Sequence, residues 1–106
     1  MRDDVHTGVR TTKDIYTLDE ARQNSMKEND GQVSSYPDVT KKIIDDAIKT
    51  GTIMVYSSKP ISQGGFISPS RMMAQDYAGN GKVYSQRVKI TDIAWLNTDE
   101  GQIAKV

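Results

Sequence analysis

Residues 38–57 constrain the fold most, because they place a helix, a glycine and a strand in immediate succession. Apolar residues between positions 39 and 48 recur at three- and four-residue spacing, which gives a helix one apolar face. Asp38 is the expected cap at the start of this helix, and Gly51 is the expected stop at its end. The β-prone run Thr52–Ser57 follows at once. This pattern predicts a central strand preceded by an amphipathic helix.

The remaining pattern adds short strands and one more helix. A short strand is predicted at 66–68, a helix from about residue 70 to Gly79, and further strands at 82–90 and 93–96. A last strand, at 102–106, is expected at the sheet edge. Because the connections are short, they cannot carry repeated parallel crossovers. The sequence therefore predicts an α+β domain, with a small mixed or antiparallel sheet and two or three helices, over residues 36–106.

Residues 1–35 carry apolar side chains only singly, among many polar and charged ones. Such a segment buries little by itself, so we expect a polar, partly flexible N-terminal arm. Thr17 and Glu20 have the spacing of a capping box, which predicts a short helix over residues 18–27 within the arm.

Composition excludes several kinds of site. The chain has no cysteine, and its one histidine, His6, lies in the predicted arm, so thiolate catalysis and a Ser-His-Asp triad are excluded and no metal is expected. Fourteen basic and fourteen acidic residues balance, which argues against direct nucleic-acid binding. The polar N-terminus has no apolar run that suits a signal peptide or a membrane span. We therefore expect a cytoplasmic protein without membrane contact.

The stretches GTIMVY (51–56), GFISPS (65–70) and DEGQ (99–102) are together similar to the core of ADP-ribosyltransferases. The resemblance is strongest to compact members in phage and mobile-element proteins, and it covers residues 38–106. It implies a fold that binds NAD between a first strand and a serine-bearing strand. In that family an arginine on the first strand contacts the pyrophosphate, and a late glutamate is catalytic.

Transferred residue by residue, the resemblance assigns Phe66, Ser68 and Ser70 to the serine strand. Pro69 replaces the middle threonine of that motif, and Ser57 falls where the arginine would be. A serine hydroxyl cannot reproduce the bidentate contact of a guanidinium with pyrophosphate.

The catalytic position has two alternative alignments. Either Glu100 is the catalytic glutamate, or Glu100 fills the first position of the motif and Gln102 stands where the glutamate should be. The resemblance also suggests that Tyr56 or Tyr77 stacks on nicotinamide, although packing in the core is the simpler expectation for Tyr77 and the neighbouring Met72.

These departures favour a degenerate transferase-like fold that acts as a protein-binding inhibitor of a host defence system, of the anti-CRISPR or anti-restriction type. Its partner would be an unidentified host protein in the bacterial cytoplasm. The alternative is an active minimal mono-ADP-ribosyltransferase or NAD glycohydrolase that uses Glu100 and NAD, and a third is a structural or accessory domain. If the protein is an enzyme, we expect Glu100 and Ser68 to face one open cleft. If it is a binding protein, we expect a flat or covered cleft and an exposed apolar patch elsewhere.

Overall fold

Three helices and five strands are present in the computed structural model, which describes residues 16–104. The helices are α1 (Leu18–Glu28), α2 (Lys41–Thr50) and α3 (Arg71–Ala78). The strands are β1 (Thr52–Ser57), β2 (Phe66–Ile67), β3 (Tyr84–Lys89), β4 (Ile93–Trp95) and β5 (Gly101–Ile103). A 3-10 turn at Ile90–Asp92 connects β3 to β4. Across the described part of the chain, no helix has the length and apolar character needed to cross a membrane.

The strands form two small antiparallel sheets. β1 pairs with β3 along its whole length, and the second sheet has the order β2-β5-β4. An isolated bridge between Tyr56 and Ser68 joins the end of β1 to the end of β2. Helices and antiparallel strands thus confirm the predicted α+β class. The prediction of an edge strand at 102–106 is wrong for its described part, because β5 is the central strand of its sheet and is fully buried.

Helix α1 belongs to the core, which corrects the predicted arm over residues 16–35. The capping box is present: Thr17 N donates to Glu20 Oε1 at 2.9 Å, and Glu20 N donates to Thr17 Oγ1 at 3.2 Å. Leu18 and Ala21 are buried against the same core as Val33. Leu18 and Ala21 are three positions apart on the helix and share one face, and Val33 joins the same core from the segment after the helix. Residues 1–15, which include His6, and residues 105–106 lie outside the described residues.

Asp38 does not cap helix α2 as predicted. The cap is Thr40, whose Oγ1 accepts a hydrogen bond from Ile43 N at 3.2 Å. Asp38 instead reaches helix α3, where Oδ1 accepts from Ser70 Oγ at 2.7 Å and Oδ2 accepts from Met72 N at 3.0 Å. A carboxylate two residues before the cap lies too far from the α2 amides, and the chain turns it towards a helix that is distant in sequence.

We expect Asp38→Ala to lower the free energy of unfolding by about 1–3 kcal/mol, because it leaves the buried Ser70 hydroxyl without its acceptor. The measurement is urea unfolding followed by the fluorescence of Trp95, which is the single tryptophan and is 0% exposed. Asp46→Ala is the control, since Asp46 makes only an exposed ion pair with Lys42. Equal stabilities for the two variants would contradict the role given to Asp38.

Candidate functional site

A cleft of about 560 Å³ opens to solvent between the end of β1, the following loop, β2 and helix α3. This volume is within the usual range of small-molecule sites. Of the eight residues that the sequence assigned to a site, six line it: Tyr56, Ser57, Phe66, Ser68, Tyr77 and Glu100. These residues come from positions up to 44 apart in the chain (100 − 56), and the fold brings them to one surface.

Backbone pairing explains why these residues meet. Tyr56 and Ser68 exchange two backbone hydrogen bonds, of 2.8 and 3.0 Å, which hold the end of β1 against the end of β2. β2 is antiparallel to β5, with Ile67 opposite Gly101. Ser68 directly follows β2 and Glu100 directly precedes β5, so both residues lie at the same end of this strand pair.

Ser70 and Gln102 do not line the cleft, which corrects two of the predicted site residues. The Ser70 side chain is fully buried, where its Oγ donates to Asp38 and accepts from Met73 N at 2.9 Å. Gln102 is 3% exposed, and its Nε2 donates to Gly64 O at 2.7 Å. Both side chains hold the backbone around the cleft. Of the two alternatives for the catalytic position, Glu100 is the one that reaches the cavity.

Glu100 and Ser68 occupy the polar wall of the cleft. Glu100 is half-buried at the end of a turn, and its carbonyl accepts hydrogen bonds from Leu96 N at 3.0 Å and Asn97 N at 3.2 Å. The Ser68 hydroxyl accepts from Ser70 N at 2.9 Å, which leaves its own proton to be donated. The wall thus contains one half-buried carboxylate and the hydroxyl of a serine that is only 4% exposed.

Two cations near the cleft were missed from the sequence. Lys59 lines the cavity, and the Arg71 guanidinium lies over the ring of Tyr56, with Cζ 5.9 Å from the ring centroid. Both side chains are exposed and can reorient towards an anion. The absence of an arginine at Ser57 was the signal to look for a replacement in the adjacent loop and in the first turn of helix α3.

The rim of the cleft is aromatic and exposed. Phe66 is 50% exposed and Tyr77 is 71% exposed, while Met72, on the same helix as Tyr77, is 47% exposed. The expectation that Met72 and Tyr77 face the core is therefore wrong. Helix α3 is short and buries mainly Ala74, so its larger side chains lie at the surface. This rim offers ring faces on which a planar group can stack.

Several aspartate side chains lie near Tyr36, beside this rim. Burial raises the pKa of the Tyr36 phenol above its usual value, and the negative charges of Asp76, Asp99 and Asp38 raise the pKa further. Tyr36 therefore stays protonated at neutral pH, where it can donate a hydrogen bond but cannot act as a base.

Among residues 16–104, no three histidine, cysteine or carboxylate side chains are grouped so that they could hold a metal ion.

Comparison with known proteins found no family model that matches this chain, no matching curated protein and no matching solved structure.

A substitution at Gly101, the residue after Glu100, tests how closely β5 packs against β4. A Cβ at this position would lie 2.5 Å from Ile93 Cγ2 and 3.2 Å from both Ala94 O and Trp95 Cε3. We expect Gly101→Ala to lower the free energy of unfolding by about 1–3 kcal/mol, because β5 must move away from β4 to relieve the overlap.

Thermal unfolding and the near-ultraviolet circular dichroism of Trp95 measure this change. Ser85→Ala, at an exposed position of β3, is the control and should behave as the unsubstituted protein. An unchanged melting temperature in Gly101→Ala would show that the two strands are not packed as closely as described.

Proposed function

We propose that the cleft binds NAD and that the protein cleaves the bond between nicotinamide and ribose, as a minimal ADP-ribosyltransferase or NAD glycohydrolase. One observation carries this proposal: Glu100 and Ser68 line a single open cleft together with four other residues that the resemblance to this family suggested. That is the arrangement expected of an enzyme, whereas a purely occluding binder was expected to have a flat or covered cleft. The antiparallel pairing of β2 and β5 adds support, because it places Ser68 and Glu100 at the same end of the strand pair.

The chemistry follows from a carboxylate and a hydroxyl that line the same cleft. When the bond to nicotinamide breaks, its electron pair leaves with the ring nitrogen and positive charge develops on the ribose. The Glu100 carboxylate stabilises that charge, and the Ser68 hydroxyl donates to a ribose hydroxyl and orients the sugar. Water, or a nucleophile on an acceptor, then bonds to the ribose carbon and releases a proton.

Ligand binding uses the other parts of the cleft. Lys59 and Arg71 supply positive charge for the pyrophosphate, in place of the arginine that Ser57 replaces. Tyr56 and Tyr77 offer ring faces to the nicotinamide. Because the cations are exposed to solvent, which weakens their attraction to an anion, we expect weak binding, in the range that millimolar NAD saturates.

We expect Glu100→Gln to slow nicotinamide release by about 100-fold or more, with little change in the concentration of NAD that gives half-maximal rate. The reason is that an amide keeps the shape of the side chain but removes the charge that the transition state needs. The measurement is nicotinamide release followed by NMR over hours.

Glu28→Gln is the matched control, because the same change is made at an exposed glutamate on helix α1. It should leave the rate unchanged. Equal rates for the two variants, or no nicotinamide release by the unsubstituted protein with NAD at millimolar concentration, would refute the proposed activity.

A second candidate function is protein binding, as an inhibitor of a bacterial defence system. The observation that favours it is the group of exposed large apolar side chains at and beside the rim: Phe66, Met72 and Tyr77. Exposed aromatic residues of this kind commonly anchor protein interfaces. In this role the cleft would be a surface feature, and NAD would not be consumed.

A plaque assay separates the two functions. The protein is expressed in a bacterial strain with a CRISPR or restriction system, and phage plating is counted with and without it. An inhibitor predicts that Tyr77→Ser lowers the number of plaques by about 10-fold or more while Glu100→Gln does not. Unchanged plating when the unsubstituted protein is expressed would rule out inhibition of the tested system.

A further inference from the structure

The loop that carries Glu100 is held by a distant part of the chain. Residues 96–100 connect β4 to β5, and their own turn contains three hydrogen bonds: Leu96 N and Asn97 N donate to Glu100 O, and Asp99 N donates to Asn97 Oδ1 at 2.8 Å. These local bonds shape the turn but do not tie it to the rest of the protein. Residues 33–35, named here the anchor segment, provide that connection.

Thr98 makes the buried contacts between the loop and the rest of the protein. It is 0% exposed, and its hydroxyl donates to Val33 O in the anchor segment. The same hydroxyl lies 3.3 Å from Ser25 Oγ, which is buried on helix α1. A polar side chain is costly to bury, and here its hydrogen-bonding capacity is met by two partners that are distant in sequence.

Asp99 makes the charged contacts between the loop and the anchor segment. Its Oδ1 accepts a hydrogen bond from the buried Ser34 hydroxyl, and its Oδ2 lies 3.4 Å from both the amide and the hydroxyl of Ser35. Hydrogen bonds to a carboxylate are stronger than those between neutral groups. We expect the Ser34 contact to contribute more than the Ser35 contact, because Ser34 is buried whereas Ser35 is exposed and 3.4 Å is long for a hydrogen bond. Ser34 also accepts from Tyr36 N at 2.9 Å, which orients its hydroxyl.

We infer that Thr98 and Asp99 are positioning residues, which fix the Glu100 carboxylate in the cleft through the anchor segment. The inference rests on the proposed function, because the anchoring affects a reaction rate only if Glu100 is catalytic. Glu100 follows Asp99 directly, so movement of the loop moves the carboxylate relative to Ser68. The anchor segment does not line the cleft and does not contact a ligand there.

A positioning role predicts a specific kinetic pattern. Lys59, Tyr56 and Tyr77, to which the proposed function assigns NAD binding, line the cleft from other elements, so loosening the loop should leave NAD binding intact. The misplaced carboxylate then lowers the rate of bond cleavage alone, because a shift of about 1 Å in a reacting group costs up to about 100-fold. Loss of kcat with unchanged KM is therefore the expected signature.

Two neighbouring serines of the anchor segment provide the test. Ser34→Ala removes the strong contact to Asp99, and Ser35→Ala makes the same change at the weak, exposed contact. Amide hydrogen exchange at Leu96 and Asn97 measures anchoring without any ligand. We expect exchange about 10-fold faster in Ser34→Ala and unchanged in Ser35→Ala.

Nicotinamide release by the same proteins gives the second readout, with kcat about 10-fold lower and KM unchanged in Ser34→Ala alone. Asp99→Asn keeps an acceptor oxygen, so its exchange rate and kcat should lie between those of Asp99→Ala and the unsubstituted protein. Unchanged exchange in both Ser34→Ala and Asp99→Ala would overturn the inference, and so would faster exchange with unchanged kcat. If the unsubstituted protein releases no nicotinamide, the proposed function fails, whereas the exchange rates still decide whether these residues hold the Glu100 loop.

Discussion

The pair of hydrogen bonds accepted by Asp38 is the interaction on which the cleft depends most. One bond holds the buried Ser70 hydroxyl, and the other holds the first turn of helix α3. Ser70 N in turn donates to the Ser68 hydroxyl, and Ser68 pairs with Tyr56 through the backbone. A single carboxylate thus connects the segment before helix α2 with β1, β2 and α3. Three walls of the cleft are joined in this way.

The fourth wall depends on close packing and on distant polar contacts. Gly101 lets β5 lie directly against Ile93 and Trp95, and the anchor segment holds the turn just before it. Glu100 lies between these two constraints. The cleft therefore combines walls held by hydrogen bonds with an exposed aromatic rim and two exposed cations. In the proposed function, the held groups would act on the reacting bond and the exposed cations would contact the ligand.

Local patterns predicted the elements well, because helix α2, strand β1 and the capping box of α1 each depend on neighbouring residues. The central position of β5 and the target of Asp38 depend on partners about 30 or more residues away, which periodicity does not reveal. The same distinction applies to the site. Short motifs indicated Ser68 and Glu100, but only the folded chain shows that Glu100 lines the cleft whereas Gln102 is buried and bonded to Gly64 O. Lys59 and Arg71 were missed because they belong to no motif.

In the function proposed above, the cleft at Tyr56, Ser68 and Glu100 binds NAD. An NMR titration of the uniformly labelled protein with NAD tests it most directly, because each backbone amide reports its own surroundings. If NAD binds in the cleft, the backbone amides of Ser57 and Gly65, which line it, should show saturable chemical-shift changes. Amides on the exposed face of helix α1 should not move. Shifts confined to other surfaces, or none at millimolar NAD, would contradict the account.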